Sequence, residues 1–292
     1  MYTQILFPTD GSEGSAAAFD HVLEIADSHD STVHILNVAD TTQDSVLRRQ
    51  GEVVDTLVQE GETIVDDADD RAKQRGIETV TEVRQGVPYS TIVDYAASHD
   101  VDLVVMPTHG RQGLRRFLLG STSERVIRQA ETPVLTIRPD TDTIEYPYRN
   151  VLVPTDGSEG AQDALAIGAD IATTEGAALH LLSVVTTATL GVDVRNEIQL
   201  SMLEESATQI LDDASAFATE TGVEPAAEAV EFGSSIPQTI RTYIDDHDID
   251  LVVVGTHGRT GFDRYLLGSV TEQLVRMSPV PVLTVRGERD ET

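Results

Sequence analysis

The chain has no cysteine and no tryptophan, and aromatic residues make up only 4% of its 292 positions. Without cysteine there is no disulfide framework, no thiolate metal site and no cysteine nucleophile. Hydrophobic cores must then be built from aliphatic side chains, which is typical of parallel sheets buried on both faces. The longest apolar runs, such as residues 251–254, are far too short to cross a membrane. The first residues leave no room for a signal peptide, so we expect a cytoplasmic protein.

Positive charge is also scarce. There are 50 acidic against 20 basic residues, a net charge of −30, and Lys73 is the sole lysine. Such a surface repels nucleic acid and anionic membranes, so neither is expected as a partner. The acidic residues are spread along the chain, and at about 1 M salt a Debye length of roughly 3 Å would screen their repulsion. This composition resembles that of proteins from salt-in halophilic archaea, with ordinary acidic solubility as the alternative.

One long internal repeat organises the chain. Residues 5–14 (ILFPTDGSEG) return as residues 151–160 (VLVPTDGSEG), and residues 108–111 (THGR) return as residues 256–259. The offset grows only from 146 to 148 between these segments, which indicates a duplicated domain and not a solenoid. We expect domains at residues 1–140 and 149–292, joined by a proline-containing linker at residues 141–148.

Each copy alternates between strand-like and helix-like segments. This pattern predicts an α/β fold with a doubly wound, five-stranded parallel sheet in each domain. Strand order 3-2-1-4-5 is among the few allowed, and it places a ligand-binding switch point between strands 1 and 4. The predicted helices of the first copy lie near residues 15–28, 45–75, 89–98 and 121–130. The predicted strands lie near residues 5–7, 32–38, 78–84, 102–106 and 134–137, then 151–153, 178–185, 226–231, 250–254 and 282–285.

The loop after the fourth strand is rich in glycine. In the second copy Gly255 and Gly258 are followed, after nine further residues, by Gly268 and Ser269 at the start of a helix. Glycines let a phosphate approach the backbone, and the free amides and dipole of a helix start favour an anion. The alternative is purely structural: residues 121–124 (STSE) and 269–272 (SVTE) fit capping boxes. The switch-point position favours binding. So do the locally concentrated positive charges Arg111, Arg115, Arg116, Arg259 and Arg264.

An aspartate ends the first strand of each copy, at Asp10 and Asp156. It could serve only as a helix cap or turn residue. Because a carboxylate repels phosphate, a ligand-binding role would involve the sugar or base of a nucleotide, or Mg²⁺. His109 and His257 also recur, but without a repeated carboxylate or serine nearby, which favours a structural role in the loop. The sequence contains no P-loop, no Gly-x-Gly-x-x-Gly, no His-Glu-x-x-His and no Gly-x-Ser-x-Gly motif, so we name no catalytic residue.

These residues resemble the universal stress protein family, over nearly the whole chain and as a tandem pair. The family's nucleotide motif is Gly-x-x-Gly, nine residues, then Gly-Ser/Thr, and the second copy matches it in full. The resemblance implies a Rossmann-like adenine-nucleotide-binding fold that binds ATP, with or without Mg²⁺, and hydrolyses it slowly at most. It also implies an intrachain pseudo-dimer through the fifth strands, with room for a further homodimer. The triphosphate would follow the glycine loop, and the adenine would lie just after strand 2. The implied binding residues are Pro154, Thr155, Asp156, Val184, Gly255, Thr256, His257, Gly258, Arg259, Gly268, Ser269 and Val270, with Pro8, Thr9, Asp10, Val38, Gly110, Arg111, Gly120, Ser121 and Thr122 in the first copy.

The first copy departs from the motif, since Pro107 stands where the first glycine belongs. Proline lacks a backbone N–H and fixes φ near −65°, so we expect the first copy to bind ATP more weakly or differently. The expected function is that of an ATP-binding stress-response or regulatory module. Two alternatives stay open at this point. One is a nucleotide-free family member that serves as a dimerisation or assembly module. The other is an adenylating enzyme, which would need a pyrophosphate-handling loop that we do not find.

Overall fold

Parallel strands alternate with helices along the whole chain. The computed structural model describes residues 2–40, 52–109, 119–139, 144–187, 195–258 and 267–287, without the side chains of residues 52–55 and 195–198. The chain divides into two compact units, unit 1 (Met1–Tyr146) and unit 2 (Pro147–Thr292). No helix within the described ranges is both long and apolar enough to cross a membrane.

Unit 1 contains five parallel strands in the order β3-β2-β1-β4-β5. This order confirms the predicted doubly wound sheet and its switch point between the first and fourth strands. Its elements are β1 (Gln4–Pro8), α1 (Glu13–His29), β2 (Thr32–Asp40), α2 (Glu52–Gln74), β3 (Thr79–Gly86), α3 (Pro88–Ser98), β4 (Leu103–Pro107), α4 (Ser121–Gln129) and β5 (Val134–Ile137).

Unit 2 repeats the architecture with the order β8-β7-β6-β9-β10, again with every pair parallel. The fold class predicted from the repeat is therefore confirmed for both copies. Its elements are β6 (Asn150–Pro154), α5 (Glu159–Glu175), β7 (Ala178–Thr186), α6 (Arg195–Glu220), β8 (Ala227–Gly233), α7 (Ile236–Asp246), β9 (Leu251–Gly255), α8 (Ser269–Met277) and β10 (Val282–Val285).

The core of each unit lies in the central strands. All five residues of β4 and all five of β9 are buried. Because successive side chains of a strand point to opposite faces, burial at every position means that both faces are covered. This explains why the sequence of β9 is a continuous apolar run. The edge strands β3 and β8 instead contain several exposed residues.

Tyr146 lies in the segment predicted as a linker, yet it packs against helix α1. Its hydroxyl is 2.5 Å from Nε2 of His29, and its ring meets that of His21 edge-on at 5.7 Å. Aromatic edge contacts of this kind stabilise packing beyond simple area burial. Tyr146 therefore anchors the end of the first unit to its own first helix.

Candidate functional site

The switch point of unit 2 brings the two best-repeated segments together. β6 pairs with β7 on one side and with β9 on the other. The loops that follow β6 and β9 therefore leave adjacent strands at the same edge of the sheet. A Cβ atom built on Gly258 would lie 2.9 Å from Oδ2 of Asp156. The strand-1 carboxylate therefore lies directly beside the glycine-rich loop.

Asp156 is held by the turn that follows β6. Its Oδ1 accepts hydrogen bonds from the backbone N–H of Ser158 at 3.0 Å and from the Ser158 hydroxyl at 2.6 Å. Ser158 is the N-cap of α5, with its side chain accepting from the N–H of Ala161. In unit 1 Asp10 accepts from Ser12, the N-cap of α1. The aspartate thus forms an Asx turn; the cap is the serine two residues later.

The residues before the aspartate have the same arrangement in both units. Pro8 and Pro154 end β1 and β6. The hydroxyls of the buried Thr9 and Thr155 accept from the N–H of the following Gly11 and Gly157, each at 3.2 Å. These bonds fix the chain direction as it leaves the sheet.

The base of the glycine-rich loop is closed by Thr256. Its N–H donates to the carbonyl of Val285 at 2.9 Å, and its own carbonyl accepts from Gly268 at 2.9 Å. Its hydroxyl is 2.9 Å from Nδ1 of His257, which supports the structural role expected for that histidine. Thr108 repeats these contacts in unit 1. Gly110, Arg111 and Arg259 lie outside the described residues, as do Arg115, Arg116 and Arg264.

The capping-box interpretation of helix α8 is wrong. The N-cap is Gly268, which has no side chain to offer, and Ser269 is already the first helical residue. The Thr271 hydroxyl donates to the carbonyl of Gly255 at 2.7 Å, and Glu272 pairs with Arg276 one turn later. Ser269 is therefore not at the N-cap position, and the glutamate expected in the box is engaged elsewhere.

Helix α4 of unit 1 starts in the same way. Its N-cap is Gly120, without a side-chain cap, and Ser121 is helical. The hydroxyl of Ser123 donates to the carbonyl of Pro107 at 2.9 Å, and Glu124 pairs with Arg128. No side chain caps the start of α4 or of α8. The first amides of both helices therefore lack a side-chain acceptor, and together with the helix dipole they suit an external anion.

The first glycine of the motif is needed for close packing. The φ angle of Gly255 is not positive, but a Cβ there would lie 2.4 Å from the carbonyl oxygen of Gly160 in α5. In unit 1 Pro107 ends β4 at the equivalent position of the sheet. Its carbonyl accepts a hydrogen bond from the Ser123 hydroxyl, as the carbonyl of Gly255 does from Thr271. A Cβ built on Gly160 would lie 2.6 Å from the carbonyl oxygen of His257. In unit 1 the equivalent distance, from a Cβ on Gly14 to the carbonyl oxygen of His109, is 3.2 Å. The first helix therefore packs closer to the loop in unit 2.

The expected adenine contacts Val38 and Val184 do not follow the second strand as predicted. They lie inside it, half-buried, because β2 continues to Asp40 and β7 to Thr186. The remaining positions lie in the first turns of the helices: Ser121 and Ser269 are exposed, Thr122 and Val270 half-buried. Among the described residues no group of three or more histidine and carboxylate side chains is placed to hold a metal ion.

Comparison with known proteins identifies the family. The model of the universal stress protein family matches residues 1–138 and 147–286. The chain belongs to this family. It is 37% identical over 141 residues to universal stress protein MJ0531 of Methanocaldococcus jannaschii, covering 47% of this chain and 83% of that one. It is 33% identical over 242 residues to universal stress protein Rv2005c of Mycobacterium tuberculosis, covering 78% and 77%.

A solved universal stress protein from Archaeoglobus fulgidus has the same fold. The two structures superimpose with a TM-score of 0.73 at 21% identity, covering 97% of this chain and 98% of that one. At this level of identity the likeness concerns the fold.

A repeated aromatic cluster in this universal stress protein was missed in the sequence. His99 and His247 cap the ends of α3 and α7, and their rings stack on the buried Tyr95 and Tyr243. Each tyrosine hydroxyl also meets a histidine of the second strand, His34 or His180. The tyrosine and the histidine of the second strand are 61 residues apart in unit 1 and 63 in unit 2, so no local sequence pattern connects them. Their recurrence in both copies is a signal that could have found them.

Proposed function

We propose that this universal stress protein binds ATP at the switch point of its sheets, and binds it more strongly in unit 2 than in unit 1. One observation carries the proposal. In unit 2 the strand-1 carboxylate of Asp156 lies directly beside Gly258 of the glycine-rich loop. The same loop leads into Gly268, where helix α8 starts without a side-chain cap.

The helix start supplies the binding chemistry for phosphate. The first amides of a helix lack intrahelical acceptors, and the macrodipole adds about half a positive charge at that end. Glycine at positions 258 and 268 leaves the backbone uncovered by side chains. In a chain with a net charge of −30, an anion needs such a local donor set.

Asp156 would bind the other end of the nucleotide. Its Oδ1 is occupied by Ser158, and its Oδ2 lies beside Gly258. A carboxylate repels phosphate but accepts hydrogen bonds from ribose hydroxyls or an exocyclic amine. Val184, half-buried near the end of β7, offers an apolar contact for adenine. This arrangement orients ATP with its phosphates toward α8.

The weaker binding proposed for unit 1 follows from Pro107. Gly255 lets the α5 backbone approach the loop, whereas Pro107 brings ring atoms to the same place and α1 stays further from the loop. A site whose walls are further apart makes fewer simultaneous contacts. For the bound nucleotide we propose a regulatory, stress-related role, with slow hydrolysis at most.

Calorimetric titration with ATP tests both parts. Gly258→Ala/Gly268→Ala puts methyl groups 2.9 Å from Asp156 Oδ2 and 3.2 Å from the Thr256 carbonyl oxygen, and should weaken the strong site at least tenfold. The matched pair Gly110→Ala/Gly120→Ala should leave that site intact. Equal losses from both pairs contradict the asymmetry. Absence of ATP binding by the unaltered protein contradicts the function and favours the assembly-module alternative. Thermal unfolding of each variant controls for loss of fold.

We also propose that the protein is adapted to molar salt. The support is its charge: 50 acidic residues, 20 basic residues and a single lysine. Self-repulsion of this magnitude destabilises a compact state at low ionic strength and is screened at high ionic strength.

A further inference from the structure

In unit 1 a buried asparagine holds the turn that carries Asp10. The Nδ2 of Asn37, in β2, donates to the carbonyl of Thr9 at 2.8 Å. Asn37 is 7% exposed and Thr9 is 8% exposed, so this hydrogen bond is shielded from water. The hydroxyl of Thr9 also lies 2.8 Å from that of Ser15 in α1. Two buried side chains from two different elements therefore hold the residue that precedes the aspartate.

Unit 2 has neither of these side chains. Ser183 stands at the position of Asn37, because each follows the residue aligned with the proline that ends the first strand of its unit. The serine hydroxyl reaches one atom less far, and in the part of unit 2 that the structure describes no hydrogen bond joins Ser183 to Thr155. Ala161 stands at the position of Ser15 and has no hydroxyl. Thr155 therefore lacks both of the side-chain bonds found in unit 1.

The neighbouring helix is matched to the size of the asparagine. A Cβ built on Gly61 of α2 would lie 2.5 Å from Oδ1 of Asn37, so glycine leaves the room that the amide needs. In unit 2 the shorter Ser183 is matched by Ala207, at the same offset of 146 residues, and both are 4% exposed. The two pairs fill equivalent places of the core in two ways, as close packing requires. Helix α2 is thus shaped around Asn37 in its bonded position.

The shape of the turn does not differ between the units. Gly11 and Gly157 have φ angles of 73° and 74°, and each donates to the preceding threonine hydroxyl at 3.2 Å. The N-caps Ser12 and Ser158 have φ angles of −72° and −73° and the same ψ of 160°. Asn37 therefore changes how firmly the turn is held and leaves its geometry unchanged.

We propose that Asn37 is a positioning residue for the nucleoside end of the unit 1 site, an inference that rests on the proposed nucleotide binding. Asn37 precedes Val38 in β2 and holds the residue before Asp10, so it joins the two groups expected to contact the nucleoside. A site that is held in its binding geometry before the ligand arrives loses less conformational freedom on binding. Unit 1 thus offers the nucleoside a preorganised turn, whereas unit 2 orders its turn on binding. The phosphate end, where Pro107 replaces glycine, stays the weak part of unit 1.

Hydrogen exchange of the ligand-free protein tests whether Asn37 holds the turn. Asn37→Ser/Gly61→Ala copies the unit 2 pair into unit 1, which avoids both a cavity and a clash. Exchange in a peptide covering residues 9–15 should become at least tenfold faster. The peptide covering residues 155–161 should stay unchanged and serves as the internal control. Gly61→Ala alone should lower the Tm, and the addition of Asn37→Ser should raise it again; a Tm that does not rise contradicts the size match.

Adenosine and tripolyphosphate, each added alone, separate the two ends of the site. Protection of residues 9–15 as a function of adenosine concentration measures the affinity of unit 1 by itself. The double variant should need at least threefold more adenosine for half-maximal protection. Its tripolyphosphate affinity, measured from a peptide covering residues 119–125, should not change, whereas a general loss of structure would weaken both ligands.

Unchanged exchange of residues 9–15 in the ligand-free variant would overturn the inference, because Asn37 would then not hold the turn. An equal weakening of adenosine and tripolyphosphate binding would overturn it too. Adenosine protection confined to unit 2, or protection of unit 1 that the variant leaves unchanged, would overturn the inference while the proposed ATP binding stands. Absence of adenosine protection from both units of the unaltered protein would contradict the proposed function as well.

Discussion

Gly255→Ala is expected to damage unit 2 through a single added methyl group. That Cβ would lie 2.4, 2.6 and 3.1 Å from the carbonyl oxygen, carbonyl carbon and Cα of Gly160. All three are backbone atoms, so no side-chain rotation relieves the contact, and the start of α5 must retreat by about 1 Å to reach ordinary contact distance. Overpacking of this kind costs about 1–3 kcal/mol. The same retreat moves the turn that holds Asp156, so we expect ATP binding to weaken at least tenfold, which corresponds to about 1.4 kcal/mol.

Hydrogen exchange resolved by mass spectrometry measures the loss unit by unit, which a single unfolding curve does not. Protection should fall in peptides from α5 and β9 and stay constant in α1 and β4. Pro107→Ala is the matched control, because β4 already accommodates a Cβ at that position. Unchanged protection in unit 2 together with unchanged ATP affinity would refute the packing role assigned to the first glycine.

Three further predictions concern stability. Burial lowers the pKa of His21 from 6.5 to about 4. Between these two values the unfolded state binds a proton that the folded state does not. The free energy of unfolding is therefore fully retained well above pH 6.5 and falls as the pH drops toward 4, by about 2 kcal/mol between pH 7 and pH 5. His21→Ile, which copies Ile167 at the same position of α5, should reduce this acid loss in urea titrations, and an unchanged loss would count against a buried neutral histidine. The Oδ2 of Asp102 accepts from the N–H and hydroxyl of Thr3, both at 2.7 Å, and from the N–H of Gln4 at 2.9 Å. Asp102→Asn should cost about 1–3 kcal/mol in thermal unfolding, with Asp250→Asn as the equivalent in unit 2, and a neutral result for both would contradict the role of these bonds. The Tm should rise between 0.1 and 2 M KCl, by about 2–4 °C for each kcal/mol of repulsion relieved, and a Tm that is flat or falls with salt would contradict the proposed adaptation.

The fold could be predicted because the repeat shows it twice. Alternation of strands and helices gives a parallel sheet, and the handedness of crossovers leaves few strand orders. The residues that meet at the switch point, such as Asp156 and Gly258, follow from that topology. Fully buried strands such as β9 are marked by their continuous apolar sequence.

Contacts between distant elements could not be predicted from local patterns. Ser269 and Glu272 have capping-box spacing, but the N-cap lies one residue earlier, at Gly268, and the Thr271 hydroxyl donates to the carbonyl of Gly255 in β9. The stacking of Tyr243 on His247 depends on where the end of α7 places the two rings. The hydrogen bond between Tyr243 and His180 depends on how α7 packs against β7. Arg84 of β3 and Glu231 of β8 occupy equivalent positions, next to Val38 and Val184, which the alignment of the strands shows and the sequence alone does not.

A crystal structure of the protein grown with ATP tests the central claim most directly. The account predicts a triphosphate at the start of α8, beside Gly258 and Gly268, with the ribose or base near Asp156, and weaker or no density at the corresponding place in unit 1. Density for ATP away from both switch points, or none at saturating ATP, would contradict it.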